Sequence, residues 1–202
     1  MTTAPDGLRH SDKENIMFVS IKNLKNTIQV KTQFNPEFAN AARKIGGKFD
    51  YSVKAWGFDE RNLDLVKAAL LDIFGTDGYN QSVVDVEVTV KEKIIGEQSA
   101  IYLAGRIIAQ ARGRDSGAVT GEGIVFIEKS ATSGGSVKNW LTKIEEGAVF
   151  KILDLYEGAL KFLDNDESIE YKIINKKSSQ DELQQLKAEL ERIKSRIAEL
   201  EA

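Results

Sequence analysis

The sequence predicts an α+β protein with a small ββαββα N-terminal unit, a mainly antiparallel β second unit (sandwich or barrel), and a C-terminal parallel coiled coil. Three patterns predict this class: two capped amphipathic helices among short apolar runs, valines alternating with polar residues, and a C-terminal heptad repeat. The predicted divisions are a disordered leader over 1–15, a small α+β domain over 16–78, a mainly β domain over 82–176, and an oligomerisation helix over 179–202.

The strands of the first unit are short apolar runs. They are predicted at 16–21, 27–32, 48–51 and 55–58, and the last two are expected to form a hairpin.

Two helices complete this unit. Asn35 is a predicted N-cap and Pro36 suits the first helical turn, while Gly46-Gly47 ends the helix. A second amphipathic helix is predicted over 61–74, with Gly75 as its C-terminal stop.

The second unit begins with the clearest strand pattern in the chain. Val84, Val86, Val88 and Val90 alternate with polar residues, which predicts one buried and one solvated face. Further strands are predicted at 100–111, 123–128, 148–153, 159–163 and 168–174, with turn-rich segments at 112–122 and 129–136 and a short helix at 137–144.

The C-terminal segment carries a heptad repeat. Its apolar a and d positions, the predicted oligomerisation residues, are Leu183, Leu186, Leu190, Ile193, Ile197 and Leu200. The facing g and e positions would pair Glu182 with Lys187, Glu189 with Lys194 and Arg196 with Glu201, and opposite charges at all three favour a parallel arrangement. The chain is therefore predicted to associate with itself, as a dimer to a tetramer.

Composition narrows the possible functions. The chain has 202 residues, no Cys and a single His, His10, in the predicted leader, so nucleophilic Cys chemistry and His-based catalysis or metal binding are not expected. No apolar run is long enough to cross a membrane, and the lack of Cys favours a reducing, cytoplasmic setting. We expect a binding protein rather than an enzyme, with no cofactor and no metal.

The first candidate site is basic and aromatic. Between Pro36 and Trp56 the basic residues Arg43, Lys44, Lys48 and Lys54 outnumber two acids, and Phe49, Tyr51 and Trp56 could stack on unpaired bases. The alternative is that these aromatic residues are core residues of a small α+β unit and that the glycine pair is only a helix cap.

The same segment resembles a known module. A helix ending in Ile45-Gly46-Gly47, then Lys48-Phe49-Asp50, then Trp56-Gly57-Phe58, is similar to a small module of phage- and plasmid-borne proteins and, more distantly, to the HARP module of DNA-annealing helicases. The resemblance covers residues 27–75 and implies DNA-related biology in a mobile genetic element. No helicase motor accompanies it here.

The second candidate site consists of two loops. Arg106, Arg112, Arg114 and Lys138 lie in or beside Gly-rich turns, and residues 98–144 hold six basic residues against three acids in an otherwise acidic chain of net charge −3. The alternative is that Arg114 pairs with Asp115 and that the glycines serve turns between strands.

Two functions follow as hypotheses. The first is an oligomeric accessory protein of a phage or plasmid that binds DNA or a nucleoprotein complex through Arg43, Lys44, Lys48, Trp56, Arg106, Arg112, Arg114 and Lys138. The second is a protein-binding inhibitor or adaptor that acts on a host defence or DNA-processing machine. A structural subunit of a phage particle ranks below both.

Overall fold

The computed structural model describes residues 18–79, 82–177, 187 and 190–194. The elements of its first part are β1 (Val19–Leu24), β2 (Thr27–Thr32), α1 (Pro36–Lys44), β3 (Lys48–Asp50), β4 (Ala55–Asp59), a 3-10 turn (Glu60–Asn62) and α2 (Leu63–Phe74). These four strands form one antiparallel sheet in the order β1-β2-β4-β3.

The remaining elements are mostly short strands: β5 (Val83–Val90), β6 (Ile94–Glu97), β7 (Ile101–Leu103), β8 (Arg106–Ala111), β9 (Ala118–Thr120), β10 (Ile124–Glu128), β11 (Thr132–Gly135), β12 (Trp140–Ile144), β13 (Val149–Tyr156) and β14 (Ile169–Lys177). A 3-10 turn (Glu157–Ala159) leads into the short helix α3 (Leu160–Asp164). In the described residues they form three antiparallel sheets, in the orders β10-β13-β5-β14, β11-β12-β6 and β7-β8-β9.

The predicted fold class, α+β with a C-terminal coiled coil, is wrong. The described residues are dominated by antiparallel strands in four small sheets, with only short helices. Residues 137–144, predicted as a helix, contain β12, where Thr142 and Ile144 are buried at the two-residue spacing of a strand. Residues 159–163, predicted as a strand, are helical, because Ala159 and Leu163 are buried at the four-residue spacing of a helix.

The prediction of a C-terminal coiled coil is also wrong. Residues 190–194 are helical, but Leu190 and Ile193 are 51% and 52% exposed, so the described residues form no coiled coil. A heptad repeat is a local sequence pattern, but the helix that it predicts needs a second helix packed against its apolar positions. The described part of the chain places no second helix there. The other four seam positions (Leu183, Leu186, Ile197 and Leu200) and the predicted leader lie outside the described residues.

One hydrophobic core extends through the described chain. It joins residues of the first sheet and of α1 and α2 with the inward valines of β5 and with residues of β8 and β13. The division into separate domains stays a prediction. Gly75 marks one place where the two halves meet, since its φ of +71° ends α2 and a Cβ there would lie 2.2 Å from the backbone nitrogen of Ala159.

A buried tyrosine joins β1 to β13. The Val19 backbone nitrogen donates to the Tyr156 hydroxyl at 3.0 Å, and that hydroxyl donates to the Val19 carbonyl at 3.3 Å. Tyr156→Phe should therefore lower the free energy of unfolding by about 1 to 3 kcal/mol, because it leaves a buried backbone donor and acceptor without their partner. Urea denaturation measures this. Tyr102→Phe is the matched control, and an equal loss in both variants would contradict the role given to the Tyr156 hydroxyl.

Candidate nucleic-acid interface

Helix α1 turns two basic residues toward solvent. Asn35 caps its first turn by accepting hydrogen bonds from the backbone nitrogens of Glu37 and Phe38 at 2.8 and 3.1 Å. Because the opposite face of the helix is buried in the core, Arg43 and Lys44 are exposed in the last turn. Basic residues at a helix C-terminus also interact favourably with the helix dipole.

Strand β3 is an edge strand, and the aromatic residues in and beside it increase in exposure from Trp56 through Phe49 to Tyr51. Phe49 lies opposite Trp56 of β4, with ring centroids 5.3 Å apart, and Tyr51 packs edge-on against Phe49 at 5.1 Å. The exposed fractions are 8% for Trp56, 37% for Phe49 and 84% for Tyr51. The guanidinium of Arg43 lies 5.7 Å from the Trp56 ring centroid. We call Arg43, Phe49, Tyr51 and Trp56 the β3 edge cluster.

The charge around this cluster is positive. Arg43, Lys44, Lys48 and Lys54 are all exposed, and none forms an ion pair with a described residue. The only acid in residues 43–54 is Asp50.

Asp50 is engaged within the turn that follows β3. Its Oδ1 accepts hydrogen bonds from the Ser52 hydroxyl at 2.6 Å and the Ser52 backbone nitrogen at 2.8 Å. These bonds hold the pKa of the Asp50 carboxyl below its usual range. The carboxylate thus shapes the turn that carries Tyr51.

Arg106, a predicted binding residue, lies in the core. It is 3% exposed, and its guanidinium lies 3.3 Å from the Phe18 ring centroid. Its Nη2 donates to the Glu122 carbonyl at 2.6 Å and its Nη1 donates to the Leu153 carbonyl at 3.3 Å. Burial lowers the pKa of Arg106 to about 10, although nearby acidic groups oppose that shift. Arg106 therefore joins chain segments inside the protein, and Trp56 likewise contributes mainly to the core.

The other residues of the second candidate site are exposed on two loops. The Ser133 hydroxyl joins β11 to the loop of Arg112 and Arg114, donating to the Arg114 carbonyl at 2.7 Å and accepting from the Gly117 backbone nitrogen at 3.0 Å. Arg114 forms an ion pair with Asp115 at 2.8 Å, which halves the free positive charge expected of Arg112 and Arg114 together.

Lys138 lies on the turn between β11 and β12. Its carbonyl accepts a hydrogen bond from the Gln98 side-chain amide, and its own side chain is exposed. The two candidate sites thus form two separate sets of contacts, one on the first sheet and one on the loops of the second half.

Sequence reasoning missed a third basic surface, on the open face of the first sheet. Lys22 and Lys31 are exposed there, while their strand neighbours Ile28 and Val30 are buried under the helices. The signal was present in the two-residue alternation of β1 and β2, which puts these lysines opposite the apolar residues.

Other classes of site find little support in the described residues. Within 18–79, 82–177, 187 and 190–194, no group of three or more His, Cys, Asp or Glu side chains could hold a metal ion. No helix among the same residues has the length and apolar character needed to cross a membrane.

Comparisons of the chain with protein-family models, with curated proteins and with solved structures give no match.

Proposed function

We propose that this protein binds nucleic acid, DNA foremost, through the β3 edge cluster and the basic residues around it. The observation that carries the proposal is the exposed Tyr51 ring, packed on Phe49 in a segment whose basic side chains are exposed. Tyr51, 84% exposed, and the partly exposed Phe49 together form an aromatic surface that a base could stack on.

The basic residues would supply the electrostatic part of binding. Arg43, Lys44 and Lys48 can neutralise phosphates, which releases condensed counterions and makes affinity depend on salt. The chain as a whole is acidic, so attraction to a polyanion must come from such a local surface.

The aromatic residues would supply the stacking part. Tyr51 offers a free ring face to an unpaired base, and its edge-on contact with Phe49 holds the ring in place before binding. Because Phe49 in turn packs on the buried Trp56, the platform is anchored in the core. The conformational entropy that these side chains lose on binding is therefore small.

The proposal is one of binding without catalysis. The chain has no Cys and a single His, His10, and this composition supports a non-enzymatic role. The resemblance of residues 27–75 to a small module of phage- and plasmid-borne proteins, and more distantly to the HARP module, supports DNA as the partner. The lack of Cys also supports a cytoplasmic setting.

Tyr51→Ala tests the stacking part. The variant should bind a short oligothymidylate about 5- to 150-fold more weakly, because one stacked base contributes about 1 to 3 kcal/mol. Fluorescence anisotropy with a labelled oligonucleotide at low salt measures the affinity.

The matched control is Tyr79→Ala. Tyr79 is 47% exposed and has the Lys67 ammonium 4.7 Å from its ring centroid, but it lies beside Asn23 of β1, at the opposite edge of the sheet. The control should bind as the parent does. Equal losses in both variants, or no binding of any nucleic acid by the parent protein at low salt, would refute the proposed function.

A further inference from the structure

The open face of the first sheet has a basic row that crosses all four strands. Lys22 of β1 lies opposite Gln29 of β2, Gln29 lies opposite Gly57 of β4, and Gly57 lies opposite Lys48 of β3. With strands about 4.8 Å apart, the two lysines that end the row are about 14 Å apart. Lys31, one row away on the same face, adds a third exposed cation.

The face is free for a partner. The three lysines are exposed, and none forms an ion pair with a residue in the described part of the chain. Two acids share the face, but each is engaged locally: Asp59 bonds Arg61 at 2.8 Å and Asp50 bonds Ser52. Helices α1 and α2 cover the opposite face, where Phe49 and Tyr51 stay exposed at the β3 edge, so the face with the lysines is the one that is open across the strands.

Gly57 in the middle of the row has no conformational or steric reason to be glycine. It is not among the glycines with positive φ, and a Cβ there would meet only the Lys48 carbonyl oxygen at 3.8 Å, an ordinary contact. Glycine inside a strand weakens it, and it often marks a place where a ligand or another backbone approaches closely. Here it leaves a flat gap between Lys22 and Lys48.

We infer that this open face, defined by Lys22, Gln29, Lys31, Lys48 and Gly57, carries the backbone of a single-stranded polynucleotide whose bases reach Tyr51 around the β3 edge. The inference rests on the proposed function and specifies its substrate class. Lys48 joins the two surfaces, because its side chain lies on the open face while its neighbour Phe49 lies on the other.

A single strand fits this geometry better than a duplex. About 14 Å holds about four stacked nucleotides at ~3.4 Å each, which matches the low end of site sizes for small single-strand binding folds. Stacking on Tyr51 requires an unpaired base, and duplex bases already stack on one another. The charge of the face is complementary to phosphates at both ends of the row.

The experiment uses the full chain and labelled probes: oligothymidylate and oligouridylate of about 12 nucleotides, and a hairpin duplex of matched phosphate number. Gly57→Glu should weaken single-strand binding at least about tenfold, because it places a negative side chain in the gap between the lysines. Gly57→Ala should weaken it less, while leaving the urea midpoint unchanged or raised, since alanine suits a strand better than glycine.

Lys22→Gln should reduce the slope of log affinity against log salt by about 0.7, the amount expected for one phosphate contact on a single strand. Lys91→Gln is the matched control, because Lys91 is an exposed lysine outside the first sheet, and its slope should equal that of the parent. Tighter binding of either single strand than of the duplex supports the inference, and the preferred strand identifies DNA or RNA.

The outcomes separate the two proposals. If Tyr51→Ala weakens binding while Gly57→Glu and Lys22→Gln do not, the open face is not the path and only the proposed function stands. The inference is overturned if the duplex binds at least as tightly as the single strands. It is also overturned if polyglutamate displaces the oligonucleotides and the Gly57 and Lys22 variants weaken polyglutamate binding as much as they weaken single-strand binding. Absence of nucleic-acid binding by the parent overturns both.

Discussion

Arg106→Met is expected to lower the free energy of unfolding by about 3 to 5 kcal/mol, because it removes the buried guanidinium that donates to the partly buried carbonyls of Glu122 and Leu153. Methionine has a similar length and keeps an apolar contact with the Phe18 ring, so the loss reports the hydrogen bonds more than the packing. Urea denaturation of the two proteins measures the difference.

Burial of a charge limits the size of this effect. The pKa of Arg106 is lowered to about 10, mainly by desolvation, so the fold disfavours its charged form and part of the hydrogen-bond energy offsets that cost. The expected loss is therefore smaller than the sum of two hydrogen bonds to a charged group. Arg106→Met removes the desolvation cost of the guanidinium together with its hydrogen bonds.

Arg112→Met is the matched control. Arg112 is exposed and lies on the same strand-and-loop segment, so its replacement should change stability by no more than about 0.5 kcal/mol. If Arg106→Met unfolds at the same urea concentration as Arg112→Met, the guanidinium does not stabilise the contacts of β8 with Glu122 and Leu153. The role inferred from its contacts would then be wrong.

Sequence patterns predicted the elements whose signals are local. The N-cap at Asn35, the first-turn Pro36 and the stop at Gly75 are confirmed, because each depends on the hydrogen bonds or φ of a single helix end. The strand over the alternating valines is also confirmed, with Val84 and Val88 fully buried. Two-residue alternation is a signal that the strand itself carries.

Features that depend on distant residues were not predictable in this way. The basic, Gly-rich segment around Arg106 predicts a binding surface, yet the partners of Arg106, Phe18 and Leu153, lie 88 and 47 residues away in the chain. The run over 100–111 was interpreted as one strand, but it forms a hairpin at Ala104-Gly105, where both residues have positive φ. Non-glycine residues adopt that conformation rarely, so Ala104 gives no turn signal.

The candidate site was predicted in part. The basic and aromatic residues of 43–56 were identified as a set, and the structure brings Arg43, Phe49, Tyr51 and Trp56 together. The sequence does not predict which of the three aromatic residues is exposed, since all three lie in the same short hairpin. Position in the sheet determines the exposure. Strand β3 has a neighbouring strand on one side only, so Phe49 and Tyr51 are more exposed than Trp56 of β4.

The charge-reversal variant Arg43→Glu/Lys44→Glu/Lys48→Glu is expected to bind single-stranded DNA more than about 100-fold more weakly than the parent at low salt. Each lost phosphate contact removes about 0.7 from the salt slope, and at about 50 mM salt three such contacts account for between two and three orders of magnitude in affinity. The reversed charges add repulsion. Titrations at several salt concentrations measure both affinity and slope.

The matched control is Arg112→Glu/Arg114→Glu/Lys138→Glu, which changes the net charge by the same amount on the loops of the second half. Both triple variants alter exposed side chains only, but glutamates at positions 43 and 44 oppose the dipole of α1, so the first triple should be less stable by about 1 kcal/mol, and binding is compared where urea denaturation shows all three proteins folded. Binding through the β3 edge cluster requires the first triple to lose far more affinity than the second. The opposite order would place the interface on the two loops, and equal losses would mean that overall charge, and no particular surface, controls association with the polyanion.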